Sequence, residues 1–166
     1  MDRLFSDLVA ILRQEITHYR SLLGLVRRER ARIVKGELTA LAGIVREKEV
    51  LTRELAQLEK SRASVLDRLA SEMGEPTDIL PLAHIARIAP SELGETLTAL
   101  LEEFRGVIGR LVTASDVNRN LLDGCLEVVQ GSLDLFRTVA SANATYGASG
   151  QLNAPHPTLI ALNQTA

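Results

Sequence analysis

The stretch Ile-Val-Lys-Gly-Glu-Leu-Thr-Ala-Leu, residues 33–41, decides the fold of this chain, because a single glycine separates two long helical patterns. Gly36 adopts at little cost the left-handed conformation that ends many helices. The basic residues before it, which complement the negative end of a helix dipole, are Arg27, Arg28, Arg30, Arg32 and Lys35. We therefore predict that one helix ends here, that the next begins, and that the two pack as an antiparallel hairpin.

Apolar residues recur every three or four positions on both sides of this turn, which is the spacing of one helix face. The first helix is predicted from about Arg3 to Val34, with the apolar positions Phe5, Leu8, Leu12, Ile16, Tyr19, Leu23, Val26 and Ile33. The second is predicted from about Glu37 to Met73, with Leu38, Leu41, Val45, Leu51, Leu55, Leu58, Val65 and Leu69. Lys48 and Arg62 also fall on this second stripe, and we expect their stems to cover it while their charges point outward.

A third long helix follows a break at residues 74–77 and a short apolar helix predicted within residues 78–89. Ser91 is a favourable N-cap, and the helix is predicted from about Glu92 to Val139. Its apolar seam follows a heptad repeat through Leu97, Leu101, Phe104, Ile108, Leu111, Ser115, Asn118, Leu122, Cys125, Val129, Ser132, Phe136 and Val139. The fold class is therefore all-α, a long helical hairpin packed with a third long helix, followed by a flexible tail.

The second half of the third helix combines an unbroken apolar seam with low helix propensity. Gly106, Gly109, Gly124 and Gly131 each cost roughly 1 kcal/mol relative to alanine in a helix interior, and Asn118 and Asn120 weaken the segment further. Residues 115–140 are therefore expected to gain order by docking, either on the hairpin or on the helix of another protein. The alternative is an internal bundle helix whose glycines permit close helix approach.

Composition and charge exclude several classes of protein. The net charge of −2 disfavours general nucleic-acid binding. The basic run at residues 27–32 is interpreted as a solvated helix end, with nucleic-acid contact as the alternative. Cys125 is the only cysteine, so neither a disulfide framework nor a cysteine-based zinc site is expected. The N-terminal sequence does not resemble a signal peptide and no apolar run is long enough to span a bilayer, which predicts a cytoplasmic protein without membrane insertion.

No arrangement of residues in the sequence is typical of a catalytic or cofactor site. The chain has no glycine-rich phosphate loop, no paired histidine or cysteine motif and no nucleophile elbow. His18, His84 and His156 lie in different segments, and the adjacent Glu102 and Glu103 point to different sides of a helix. We therefore expect no enzymatic activity, no metal and no cofactor.

Four elements of the sequence resemble the FlgN family of flagellar export chaperones. They are the hairpin with Lys-Gly-Glu-Leu at residues 35–38, the linker Ile-Leu-Pro-Leu at residues 79–82, the sequence Asn-Arg-Asn-Leu-Leu-Asp-Gly at residues 118–124, and the tail Tyr-Gly-Ala-Ser-Gly-Gln at residues 146–151. The resemblance covers about residues 1–151. The last two elements are its more specific part, and the extension at residues 152–166 has no counterpart in the pattern.

The resemblance implies a cytoplasmic chaperone that keeps the hook–filament junction proteins FlgK and FlgL unpolymerised and delivers them to the flagellar type III export apparatus. It places cargo binding on Asn118, Asn120, Leu121, Leu122, Cys125, Leu126, Val129, Leu133 and Phe136. It places docking to the export gate component FlhA on Tyr146, Gly147 and Gly150.

The chain is accordingly divided into three parts: the helical hairpin with the short linker helix and the start of the third helix at residues 1–110, a cargo-binding amphipathic helix at 111–140, and a flexible tail at 141–166. The alternative is a structural coiled-coil homodimer that pairs through the third helix, with Asn118 setting the register.

Overall fold

The computed structural model describes residues 1–74 and 81–142, with side chains described as far as residue 140. The described residues form four helices, α1 (Asp2–Lys35), α2 (Leu38–Met73), α3 (Leu82–Ile88) and α4 (Ser91–Ala142). The all-α prediction of a hairpin packed with a third long helix is confirmed. The helix ends lie within about three residues of those predicted, and the predicted flexible tail lies outside the described residues.

The turn between α1 and α2 has the geometry that its glycine predicts. Gly36 has φ 68° and ψ 24°, in the left-handed region. Its N–H donates to the Ile33 carbonyl at 3.0 Å, and the Glu37 N–H donates to the Arg32 carbonyl at 3.1 Å. These two bonds satisfy carbonyls that the end of α1 leaves free, and an ion pair between Arg32 and Glu37 crosses the same turn. Gly74 ends α2 in the same conformation.

The hydrophobic core draws on all four helices. It is built by the N-terminal half of α1, the C-terminal half of α2, the short α3 and the first half of α4. Its most buried apolar side chains are Leu8, Leu12, Leu69, Ile85, Leu97 and Val107. Burying each such side chain contributes roughly 1.5–3 kcal/mol, so these residues hold the four helices together.

The start of α4 packs unusually closely against α3. The Gly94 N–H donates to the Pro90 carbonyl at 2.8 Å, and a Cβ atom on Gly94 would lie only 2.6 Å from the Ala86 carbonyl oxygen. A side chain at this position therefore requires the backbone of α3 to move. The four α4 glycines noted in the sequence meet no such obstruction; they are Gly106, Gly109, Gly124 and Gly131.

Two ion pairs connect α1 and α2 inside the hairpin. Arg62 Nε donates to Glu15 Oε1 at 3.0 Å, and Lys48 Nζ donates to Glu29 Oε2 at 3.0 Å. The two glutamates are two heptads apart on α1, and the two cations are two heptads apart on α2, so the pairs repeat with the heptad. The expectation that Lys48 and Arg62 send their charges outward is therefore wrong, because each head group meets a carboxylate of α1.

The chain divides into two units, Met1–Leu122 and Asp123–Ala166. The core and both ion pairs belong to the first unit. The functional division at residues 110 and 140 remains a prediction.

Candidate functional site

The candidate site on α4 begins with an amphipathic surface in the second unit. At about 100° per residue, Cys125, Leu126, Val129, Leu133 and Phe136 fall within an arc of about 100° on one side of the helix. We call these five residues the apolar stripe. All five are exposed, and Leu126 and Phe136 expose 58% and 71% of their surface.

The remaining surface of this part of α4 is divided sharply by polarity. Val128, Leu135 and Val139 widen the apolar side, and all three are exposed. The opposite side carries Asp123, Glu127, Gln130, Asp134 and Arg137. An exposed apolar surface rimmed by polar residues marks an interaction site in a soluble protein. The segment is helical in the free chain, so the surface is formed before any partner binds.

The predicted site residues at the end of the first unit have different surroundings. Asn118 is only 4% exposed, whereas Asn120 is exposed and Leu121 is half-buried. Leu122, the last residue of this unit, exposes 42% of its surface. The predicted site residues of the first unit therefore include both buried and exposed side chains.

The Asn118 amide joins α4 to α1. Its Nδ2 donates to the Val26 carbonyl at 2.8 Å and to Glu29 Oε2 at 2.9 Å. Glu29 in turn accepts from Lys48 of α2, so one polar cluster connects the three long helices. Asn118 Oδ1 has no donor in the described chain. Because breaking such a buried cluster leaves polar groups without partners, Asn118 fixes the position of α4 along the hairpin within the first unit.

The structure shows a buried carboxylate that the sequence reading missed. Glu15 is fully buried, and only its Oε1 meets Arg62, since Oε2 has no partner in the described chain. Burial raises the pKa of the Glu15 carboxyl, and the charge of Arg62 opposes that rise. The spacing of the charged residues in the sequence could have indicated this burial. Glu15 lies two heptads before Glu29, and their partners Lys48 and Arg62 are also two heptads apart.

An aromatic contact joins α1 to α4 beside this carboxylate. The rings of Tyr19 and Phe104 meet edge to face, with centroids 5.4 Å apart and planes at 88°. The Tyr19 hydroxyl donates to Glu59 Oε1 at 3.1 Å. Burial, together with the bond to Glu59, raises the pKa of Tyr19 to about 12. Tyr19 is therefore an un-ionised packing residue at neutral pH.

The predicted gate-docking residues Tyr146, Gly147 and Gly150 lie outside the described residues. Within the described ranges, no cluster of three or more histidine, cysteine, aspartate or glutamate side chains has the arrangement of a metal site. In the same ranges, none of the helices has the length and apolar character needed to cross a bilayer.

Comparison with known protein families gives a match over most of the chain. The sequence model of a family described as FlgN protein matches residues 1–154. The match includes the hairpin, the whole of α4 and the Tyr-Gly-Ala-Ser-Gly-Gln sequence of the tail. None of the curated proteins matches the chain, and no solved structure does.

Proposed function

The chain belongs to the FlgN family of flagellar export chaperones, and we propose that its cargo is the hook–filament junction proteins FlgK and FlgL. The observation that carries the proposal is the apolar stripe, an exposed row of large side chains on a helix that is already formed. A cargo that polymerises through amphipathic helices needs those helices covered until export. The stripe offers a surface for one such helix, in the manner of a helix laid against a hydrophobic groove.

The composition of the stripe suits binding that is later reversed. Its aliphatic and aromatic side chains supply apolar area, at about 25 cal/mol per Å² removed from water. Cys125 and the neighbouring Ser132 interrupt that area with small or polar groups. A broad surface with few large anchors favours adaptable contacts over a single deep hot spot. Such contacts suit a complex that must release its cargo at the export apparatus.

Asn118, Asn120, Leu121 and Leu122 enter this proposal as the residues that precede the apolar stripe along the sequence. The two leucines and Asn120 have exposed or half-buried side chains. The Asn118 amide already bonds to α1, so its proposed contribution is to hold the helix in place while the residues after it contact cargo.

The tail supplies the proposed second contact. Tyr146, Gly147 and Gly150 are proposed to dock on FlhA, because the resemblance places the family's docking element there and the family match extends through residue 154. A tyrosine combines a large contact area, a polar tip and few rotatable bonds, which makes it an effective anchor. The chaperone is proposed to act in the cytoplasm, where both the unassembled cargo and the gate component are reached.

Binding of purified FlgK and FlgL tests the cargo proposal. Val129→Asp and Leu133→Asp place a carboxylate within the stripe, and we expect each to weaken binding at least about tenfold, because burying an unpaired charge costs more than 1.4 kcal/mol. The matched control is Gln130→Asp, which makes the same charge change on the polar side of the same turn. Titration calorimetry measures the affinities, and unchanged binding by both stripe variants contradicts the proposed site.

The rival function is a homodimeric scaffold paired through α4. Light scattering of the chain alone and with FlgK separates the two. A dimer that persists and ignores FlgK favours the scaffold, whereas a complex with cargo favours the chaperone. The Asn118 hydrogen bonds to α1 already argue against a register-setting role for this residue between two copies, since its Nδ2 donors are used within one chain.

A secretion assay distinguishes the docking proposal from the cargo proposal. Tyr146→Ala is expected to keep the affinity for FlgK and FlgL and to lower their secretion, because an anchor for the gate is lost while the stripe is intact. Culture supernatants probed for both proteins measure the effect, with Tyr146→Phe as the conservative control. Equal secretion by Tyr146→Ala and the unmodified chaperone refutes the docking role.

A further inference from the structure

A groove between α1 and α4 in the first unit carries three arginines and no carboxylate. Its volume is about 410 Å³, and it is lined by Val26, Arg27, Arg30, Gly109, Arg110, Thr113, Ala114, Val117 and Asn118. We call it the arginine groove. Volumes of this size are typical of ligand-binding clefts.

The charges of the arginine groove are uncompensated. Arg27, Arg30 and Arg110 are all exposed, and none of them forms an ion pair or a side-chain hydrogen bond to another described residue. Glu29, the nearest acidic residue on α1, is occupied by Lys48 and Asn118. Three like charges from two helices therefore face one cleft without an internal counterion.

Other grooves of the same unit do not share this property. The groove beside Gly24 contains Glu47 and Glu54 together with Arg28, and the groove between α3 and α4 contains Glu95 and Glu102 together with Arg87. Mixed charges of this kind neutralise one another on the protein's own surface. The single sign of the arginine groove is thus a local feature and does not follow from the net charge of −2.

The helix dipole does not account for these three charges, although the sequence led us to expect that it would for Arg27 and Arg30. Cations stabilise a helix through its dipole only within the last turn, and α1 ends at Lys35. Arg27 and Arg30 both precede that last turn, and Arg110 lies in the interior of α4. Their convergence on one cleft requires another explanation.

We propose that the arginine groove binds an acidic segment of a partner polypeptide, as a site separate from the apolar stripe. Guanidinium groups pair with carboxylates in a bidentate geometry, which accounts for the three arginines. Ala114 and Val117, both half-buried, line the groove between them and provide apolar contact for aliphatic side chains. This proposal does not depend on which cargo the stripe carries.

A polypeptide fits the groove better than a nucleic acid does. No aromatic side chain lines it to stack on a base, although stacking is the usual complement to basic grooves that bind single strands. The groove therefore combines carboxylate recognition with apolar contact for aliphatic residues.

Fluorescence anisotropy with the full chain tests the proposal at low ionic strength. The probe is a fluorescein-labelled peptide that alternates leucine and glutamate, and its counterpart replaces glutamate by glutamine. We expect tighter binding of the glutamate peptide. The triple variant R27Q/R30Q/R110Q is expected to lose about tenfold in affinity, because each exposed pair contributes about two- to threefold.

The matched control is R46Q/R53Q/R105Q, which removes the same charge from exposed arginines that do not line this groove. We expect it to lose less than about threefold, since only long-range attraction changes. Equal losses in the two triple variants, or no preference for glutamate over glutamine, overturn the proposal. A labelled oligothymidylate of equal charge that binds at least as tightly as the glutamate peptide also overturns it and identifies a nucleic-acid site.

Methyl chemical shifts are measured on the unmodified protein, so a folding defect in a variant cannot affect them. Adding the glutamate peptide is expected to shift the methyl signals of Val26 and Val117, which line the groove, more than that of Val50, which lines another one. Shifts confined to residues outside the arginine groove overturn the assignment even if the peptide binds.

Discussion

Replacing Arg62 by leucine is expected to destabilise the hairpin more than any other single removal of a charge from α2. Arg62 is the only side chain that pairs with the buried Glu15 in the described chain. Breaking a buried ion pair by removing one partner costs about 3–5 kcal/mol, because the remaining charge is left uncompensated. The Arg62 side chain is 23% exposed, so water screens part of the interaction and we expect the lower end, about 3 kcal/mol.

The two partners of this pair are not equivalent. Glu15→Leu removes the charge that is sealed from water and leaves Arg62, whose stem can extend toward solvent. Its cost is therefore expected to be smaller than that of Arg62→Leu. The double variant Glu15→Leu/Arg62→Leu replaces both charges by apolar groups and is expected to recover most of the lost stability, as replacements of whole buried pairs do.

The dependence on pH gives an independent check of the same reasoning. Burial raises the pKa of Glu15 above its ordinary value of 4.5, so the folded state binds a proton more readily than the unfolded state. The contribution of Glu15 to stability is then most favourable at low pH and declines as pH rises through the raised pKa. Arg62→Leu removes the opposing charge and raises that pKa further, so its destabilisation is expected to be larger at pH 7 than near pH 4.5.

Urea unfolding followed by circular dichroism at both pH values measures these differences. At neutral pH a loss of about 3 kcal/mol corresponds to a drop in melting temperature of roughly 10 °C for a domain of this size. Arg53→Leu, at an exposed arginine of α2 without an ion pair in the described chain, is the matched control and is expected to change stability by less than about 0.5 kcal/mol. The reasoning is refuted if Arg62→Leu is no worse than Arg53→Leu, or if the double variant is no more stable than Arg62→Leu.

Two further predictions concern how α4 is held. Asn118→Leu removes two hydrogen bonds to α1 and is expected to lower the free energy of unfolding by about 1–3 kcal/mol, with faster amide exchange in the first half of α4. The control is Asn120→Leu, at an exposed position. Similar amide exchange rates in the two variants contradict the role of Asn118. Gly94→Ala places a methyl group against the Ala86 carbonyl and is expected to lower the melting temperature, whereas Gly109→Ala, which meets open space, is expected to raise it because alanine stabilises a helix interior by about 0.5–1 kcal/mol over glycine. A stabilised Gly94→Ala variant shows that the close packing of α3 on α4 does not constrain this position.

The polar contacts inside the hairpin fix how the three long helices are aligned within the first unit. The ion pairs of Glu15 and Glu29 fix the alignment of α1 and α2, and Asn118 adds α4 to the second of them. Apolar surfaces alone allow long helices to slide by a heptad at little cost, whereas a misplaced buried charge is expensive.

The sequence alone determined the number, type and approximate ends of the helices. Gly36 and Gly74 mark the two helix ends where the backbone needs a left-handed residue, and the apolar spacing on α1 identified side chains that the structure buries. These are local properties: conformational preference and the period of a pattern act within a few residues of one another. The resemblance to FlgN chaperones likewise depends on short sequences, and the family match confirms it.

The sequence could not determine which part of the α4 seam is covered. The heptad runs through Leu97 and Val129 alike, yet Leu97 is 1% exposed and Val129 is 54% exposed. Nor could it determine that Glu15 lies inside the hairpin or that Asn118 reaches Glu29. Periodicity shows that a helix face requires a partner, but the partner is a surface distant in the chain. Only the packing of the helices in three dimensions decides where that surface is present and which polar groups it brings together.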